Sequence, residues 1–116
     1  MTDRPTEVIA DQPDSPAAPL VSDAPPELEH LYRLWRVWCT SAEMSRERHE
    51  AEPTDTSWRI WIHDVQLKGD ARRRLHRELI RAGRGRRWRV EDTVIRIATE
   101  ASGNRRDVII AEEAPR

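Results

Sequence analysis

The sequence predicts an α+β fold: a small, mostly antiparallel sheet of about three strands covered by two helices, in the order α-β-α-β-β, behind a disordered acidic tail. Three observations carry this. An apolar arc recurs at helical spacing from Leu28 to Ala42, a second stripe does so from Ala71 to Ala82, and the stretch from Trp88 to Ala111 is dense in Val, Ile and Thr.

Residues 1–25, with Pro26, hold six prolines among Asp, Ser, Thr and Ala, and offer almost nothing to bury. Such a composition cannot offset the entropy of ordering, so it reads as a disordered tail. One domain, residues 26–112, follows, and residues 113–116 form a C-terminal tail. A domain of this size buries a modest fraction of its surface and is marginally stable alone, which makes a partner or a second copy expected. Phe is absent and Trp occurs five times, so the core is built from Trp, Leu, Ile and Val.

Pro25-Pro26 followed by Glu27 suits a helix start, because proline fits the first turn and early acids complement the helix dipole. Leu28, Leu31, Tyr32, Leu34, Trp35, Trp38, Cys39 and Ala42 fall on one arc, opposite Glu29, Arg33 and Arg36. Thr40 to Glu43 has capping-box spacing, so a break is expected near Thr40, with a charged second segment to about Ala51 and Pro53 closing the region.

From Ser57 to Leu67, Trp58, Ile60 and Ile62 alternate with Arg59, Trp61 and His63, a period of two that predicts a strand. Gly69-Asp70 then supplies a turn and an N-cap for a helix to Ala82, with Gly83 as its stop. Ala71, Leu75, Leu79 and Ala82 line its apolar side, and Arg73, Arg74, Arg77 and Arg81 project opposite. Arg84 to Arg87 forms a flexible connector. Beyond it, strands over Trp88 to Glu100 and Asp107 to Ala111 flank turn residues Ser102-Gly103-Asn104, a hairpin. The competing assignment makes 92–101 a third helix and the domain winged-helix-like; the β-branched density favours the strand.

Charge is the most informative functional feature. Ten Lys/Arg lie between Lys68 and Arg89 against Asp70 and Glu78, while the first thirty residues carry seven acids and one Arg. A net charge of −1 therefore hides a strong asymmetry, and the local cluster sets the field a partner meets. Nineteen of the twenty basic residues are Arg, which a high-GC coding sequence would produce, but codon bias does not explain their clustering.

Arg73, Arg74, Arg77, Arg81, Arg84, Arg86, Arg87 and Arg89 could follow a phosphate backbone through planar guanidinium forks, with Trp88 stacking on an unpaired base. The leading expectation is a nucleic-acid-binding regulatory or accessory protein whose acidic tail tunes affinity. For Trp88 the stronger alternative is a core residue alternating with Val90. The second expectation is a non-enzymatic adaptor or assembly subunit, including a phage-type accessory component, that sets Arg59, Trp61, His63 and the Arg face against an acidic protein surface.

Catalysis is not expected. His30, His49, His63 and His76 lack metal-ligand spacing, and no HExxH or CxxC is present. His63-Asp64 with Glu91-Asp92 could assemble a divalent-metal nuclease site, but among twenty-one acids two such pairs arise by chance. No cofactor is implied. A single Cys39 on a helix reads as a buried reduced thiol, and no leader or membrane span is visible, so a cytoplasmic setting, with possible homo-oligomers, is expected.

Overall fold

The computed structural model describes residues 20–99 and 107–114. They form an α+β arrangement of two long helices and a four-stranded mixed sheet, in two compact units: residues 24–84, and the described chain on either side of them.

Pro26 occupies the first turn of helix α1 (Pro26–Ala51), with Glu27 and Glu29 beside the positive end of its dipole. The helix passes Thr40 without the expected break. Glu43 does not reach back to cap; it pairs with Arg46, which also holds Glu50 at 2.9 Å. Ser45 bonds its hydroxyl to the Ser41 carbonyl at 3.0 Å, so the charged half simply continues the helix.

Helix α2 (Asp55–Gly83) overturns the expected strand at Ser57–Leu67 and the expected turn at Gly69-Asp70. Its start is a reciprocal box: Thr54 Oγ1 accepts from the Ser57 N–H, and Ser57 Oγ accepts from the Thr54 N–H, both at 3.0 Å. Alternation of apolar residues over so short a run fits either period, because Trp58, Trp61, Ile62 and Val65 also recur every three or four residues. The cap and the length decide for helix. Gly83 ends it with φ 135°, a left-handed conformation that favours glycine.

Three residues, 52–54, turn α1 back along α2, and the register is antiparallel. Near the turn, His49 meets Ser57 at 2.7 Å and stacks on Trp61 with ring centroids 5.7 Å apart. Midway, Ser41 donates to Asp64 Oδ2 at 2.9 Å, giving a buried polar side chain a partner. Beside this contact and toward the open end the seam is apolar: Leu28, Leu31 and Ala42 from α1, and Ala71, Leu75 and Leu79 from α2, are all buried.

The other unit is a sheet in the order β1 (Val21–Asp23), β2 (Arg87–Val90), β3 (Thr93–Thr99) and β4 (Asp107–Glu113). β1 runs parallel to β2, and the remaining pairs are antiparallel. The chain order is therefore β-α-α-β-β-β, with one more strand than expected. Strand β1 falls within the expected acidic tail; three residues too few to announce a strand are recruited by a distant pairing, Val21 with Arg87. The expected strand 88–100 is divided by Glu91-Asp92, where Val90 pairs with Thr93. Because Thr93–Thr99 is a strand, the third helix that the winged-helix alternative needs is not formed there. The expected turn at 102–104, the first nineteen residues of the tail and residues 115–116 lie outside the described residues.

Strand alternation puts Trp88, Val90, Ile95 and Ile97 on one sheet face, all buried. The opposite face carries Arg89 paired to Asp23 at 3.3 Å and Arg96 paired to Glu112 at 3.5 Å. Among the described residues, no helix is long and apolar enough to cross a membrane.

Candidate functional site

The arginines expected to act together divide between the two units. Arg73, Arg74, Arg77, Arg81 and Arg84 belong to α2 and its C-cap, whereas Arg86, Arg87, Trp88 and Arg89 belong to the sheet unit. The connector is short, since Arg87 already lies in β2.

Trp88 is not an exposed stacking platform. It is 6% exposed, its partner across the strand pair is Ile95, and the Arg86 guanidinium lies 4.5 Å from its ring centroid. Alternation with Val90 points to this core position, and both residues are buried.

The expected interface of Arg59, Trp61 and His63 also comes apart. On a strand these residues share a side; on a helix each step of two turns the side chain by about 200°. Trp61 is half-buried on His49, while Arg59 and His63 are exposed. Cys39 is half-buried rather than buried.

On α2 the arginines at 73, 77 and 81 lie away from the buried stripe of Ala71, Leu75 and Leu79, Arg74 flanks it, and all four are exposed. Two are held locally three residues from their acids. Arg73 pairs with Asp70, and Arg81 Nε donates to Glu78 Oε1 at 3.0 Å. The hydrogen bonds from Arg81 hold the Glu78 carboxyl below its ordinary pKa and raise that of the guanidinium in turn. Arg74 and Arg77 make no ion pair or hydrogen bond among the described residues.

Arg74 and Arg77 instead border a groove of about 440 Å³ that runs between the helices. Leu34 and Trp38 of α1 form one wall, Leu67 and Ala71 of α2 the other, and the paired Asp70 and Arg73 complete the rim. An apolar floor with a cationic edge has a defined chemistry: it accepts a bulky apolar group accompanied by negative charge. Neither Trp38 nor Leu34 stands out as functional in the sequence, where both look like ordinary members of the α1 apolar arc. A signal is present, however: that arc is wider than one facing helix can cover.

The hairpin also exposes other large apolar side chains. Val37 and Met44, seven apart on α1, are 61% and 56% exposed, and Trp58 and Val65, seven apart on α2, are 49% and 41% exposed. Among the described residues, no group of three or more His, Cys, Asp or Glu is placed to hold a metal ion. No protein family, no curated protein and no solved structure matches the chain, so the chemistry of the site has to follow from its own geometry.

Proposed function

We propose that this protein is an adaptor or assembly subunit whose helical hairpin binds an acidic surface of a partner protein. One observation carries the reading: two guanidinium groups without a partner among the described residues, Arg74 and Arg77, stand at the edge of a groove lined by Leu34, Trp38 and Leu67. A phosphate backbone would use the arginines and leave the apolar floor idle, whereas a protein surface uses both. Arg, Trp and Met are also side chains enriched at interface cores, and the hairpin exposes all three.

The test is a selection of random 16-residue peptides displayed on phage against the full-length chain, alongside titration with duplex DNA, single-stranded DNA and RNA. The adaptor reading expects a convergent set of peptides whose binding, once synthesised, resists moderate salt. No convergent peptide, together with nucleic-acid binding, overturns it.

A second reading retains support from the row Arg73, Arg77 and Arg81, spaced four apart along α2. In it the row neutralises phosphates and the acidic N-terminal segment tunes affinity. Removing one arginine–phosphate pairing would reduce the slope of log affinity against log salt by about 0.9 on duplex DNA. A titration of Arg73→Gln/Arg77→Gln that leaves the slope unchanged removes this reading.

A further inference from the structure

We infer that the groove between α1 and α2 selects a peptide segment in which one large apolar side chain is flanked, within a helical turn, by two carboxylates. The inference deepens the adaptor reading and rests on it. Leu34, Trp38 and Leu67 offer room for one bulky side chain, since about 440 Å³ exceeds the volume of a Leu or Phe by a margin that leaves space for backbone approach.

The position of the charges narrows the ligand further. Asp70 is taken by Arg73, so the acid at the rim is neutralised and the net field of the groove comes from Arg74 and Arg77. These lie three residues apart on α2, one helical turn, and so present two forks about 5 Å apart at their roots. A carboxylate pair at i and i+3 or i+4 of a partner helix matches that separation. Each carboxylate can accept two N–H bonds from one guanidinium. A duplex phosphate backbone provides charges at similar spacing but no apolar side chain to fill the floor.

A fluorescein-labelled amphipathic 15-residue peptide with Leu or Trp between Glu at i and i+4 is the probe, titrated by fluorescence anisotropy into the full-length chain. Three companion peptides replace the apolar residue by Ser, both Glu by Gln, or both Glu by Arg. Replacing the apolar anchor is expected to weaken binding roughly thirtyfold, the loss typical of a central hot spot. Glu→Gln and the protein variant Arg74→Glu/Arg77→Glu each weaken it roughly tenfold, because these charges sit at a solvent-exposed rim. The Glu→Arg peptide should recover binding to Arg74→Glu/Arg77→Glu, a rescue that simple misfolding cannot produce; circular dichroism checks that the helices persist.

Equal binding by the Ser-substituted peptide overturns the inference, because charge alone would then suffice. Failure of the charge-swap rescue overturns it as well. If displayed peptides bind the chain but do not compete with this probe, the groove assignment fails and the adaptor reading stands. If no peptide converges in the display selection and the chain binds nucleic acid, both fail. Competition by a duplex DNA of equal charge that matches the peptide in affinity also overturns the inference in favour of phosphate binding.

Discussion

Ser57 Oγ lies 2.7 Å from Nδ1 of His49, joining the end of one helix to the start of the next. The Ser57 hydroxyl also accepts from the Thr54 N–H and lies within donating distance of the Glu52 and Thr54 carbonyls. With its proton directed to a carbonyl, the remaining lone pair suits an Nδ1–H donor, so one hydroxyl satisfies the cap, the turn and the imidazole together.

His49→Ala is therefore expected to destabilise the hairpin by about 1 to 3 kcal/mol, because it removes both a hydrogen bond and the stack on Trp61. His49→Phe keeps the stack and should recover roughly half of that. Urea denaturation followed by far-UV circular dichroism measures both. Equal stabilities of His49→Ala and the parent chain would show that the turn does not depend on this pairing.

Gly69 lies in the interior of α2, where a Cβ would meet only the Arg73 guanidinium at 3.6 Å, an ordinary approach. Gly69→Ala should accordingly stabilise the protein by up to about 1 kcal/mol through helix propensity and reduced unfolded-state entropy. A turn at Gly69-Asp70 would give the opposite sign, so the thermal midpoint of this one variant distinguishes helix from turn.

Glu91 reverses the chain between β2 and β3 with φ 57°, the sole non-glycine residue of positive φ among those described. Glu91→Gly and Glu91→Val both remove the glutamate side chain, so their difference isolates the backbone. Glu91→Val is expected to be less stable than Glu91→Gly by at least about 1 kcal/mol, since a β-branched residue tolerates this conformation poorly. Matched denaturation curves of the two variants would argue for a relaxed turn.

Glu78 titrates below its ordinary 4.5 because Arg81 hydrogen-bonds its carboxylate. A carboxyl whose native pKa is depressed stabilises the fold above its unfolded value and loses that contribution as pH falls through the native one. Stability measured from about pH 7 to about pH 3 should therefore drop on the acid side of 4.5, and Glu78→Gln should flatten that part of the profile. An unchanged acid limb in the variant would assign the drop to other carboxylates, Glu43 beside Arg46 being the next candidate.

Much of the helical content is legible in residue order alone. Within the arc from Leu28 to Ala42, Leu28, Leu31 and Ala42 are buried and the other five are half-buried; the stripe Ala71, Leu75 and Leu79 is buried, Gly83 marks the helix end, and Trp88 and Val90 mark a buried strand face. These follow from local periodicity, which the side-chain direction of a helix or strand imposes on any chain. The outward display of Arg73, Arg74, Arg77 and Arg81 is the complement of the same stripe and is equally local.

Tertiary structure, with one local cap, decided the rest. The run Trp58–Leu67 satisfies both a strand and a helix pattern, and its state is set by the Thr54–Ser57 cap together with packing against α1 through His49 and Ser41. Strand β1 exists only because Val21 finds Arg87 beyond the intervening hairpin, a partner no local window contains. The groove is of the same kind: Leu34 and Leu67 are far apart in the chain, and antiparallel packing of two long helices brings them to one floor beside Arg74 and Arg77. Sequence determined which faces are apolar and which are charged; the long-range register determined which of them meet, because burial free energy is gained only once both partners are in place.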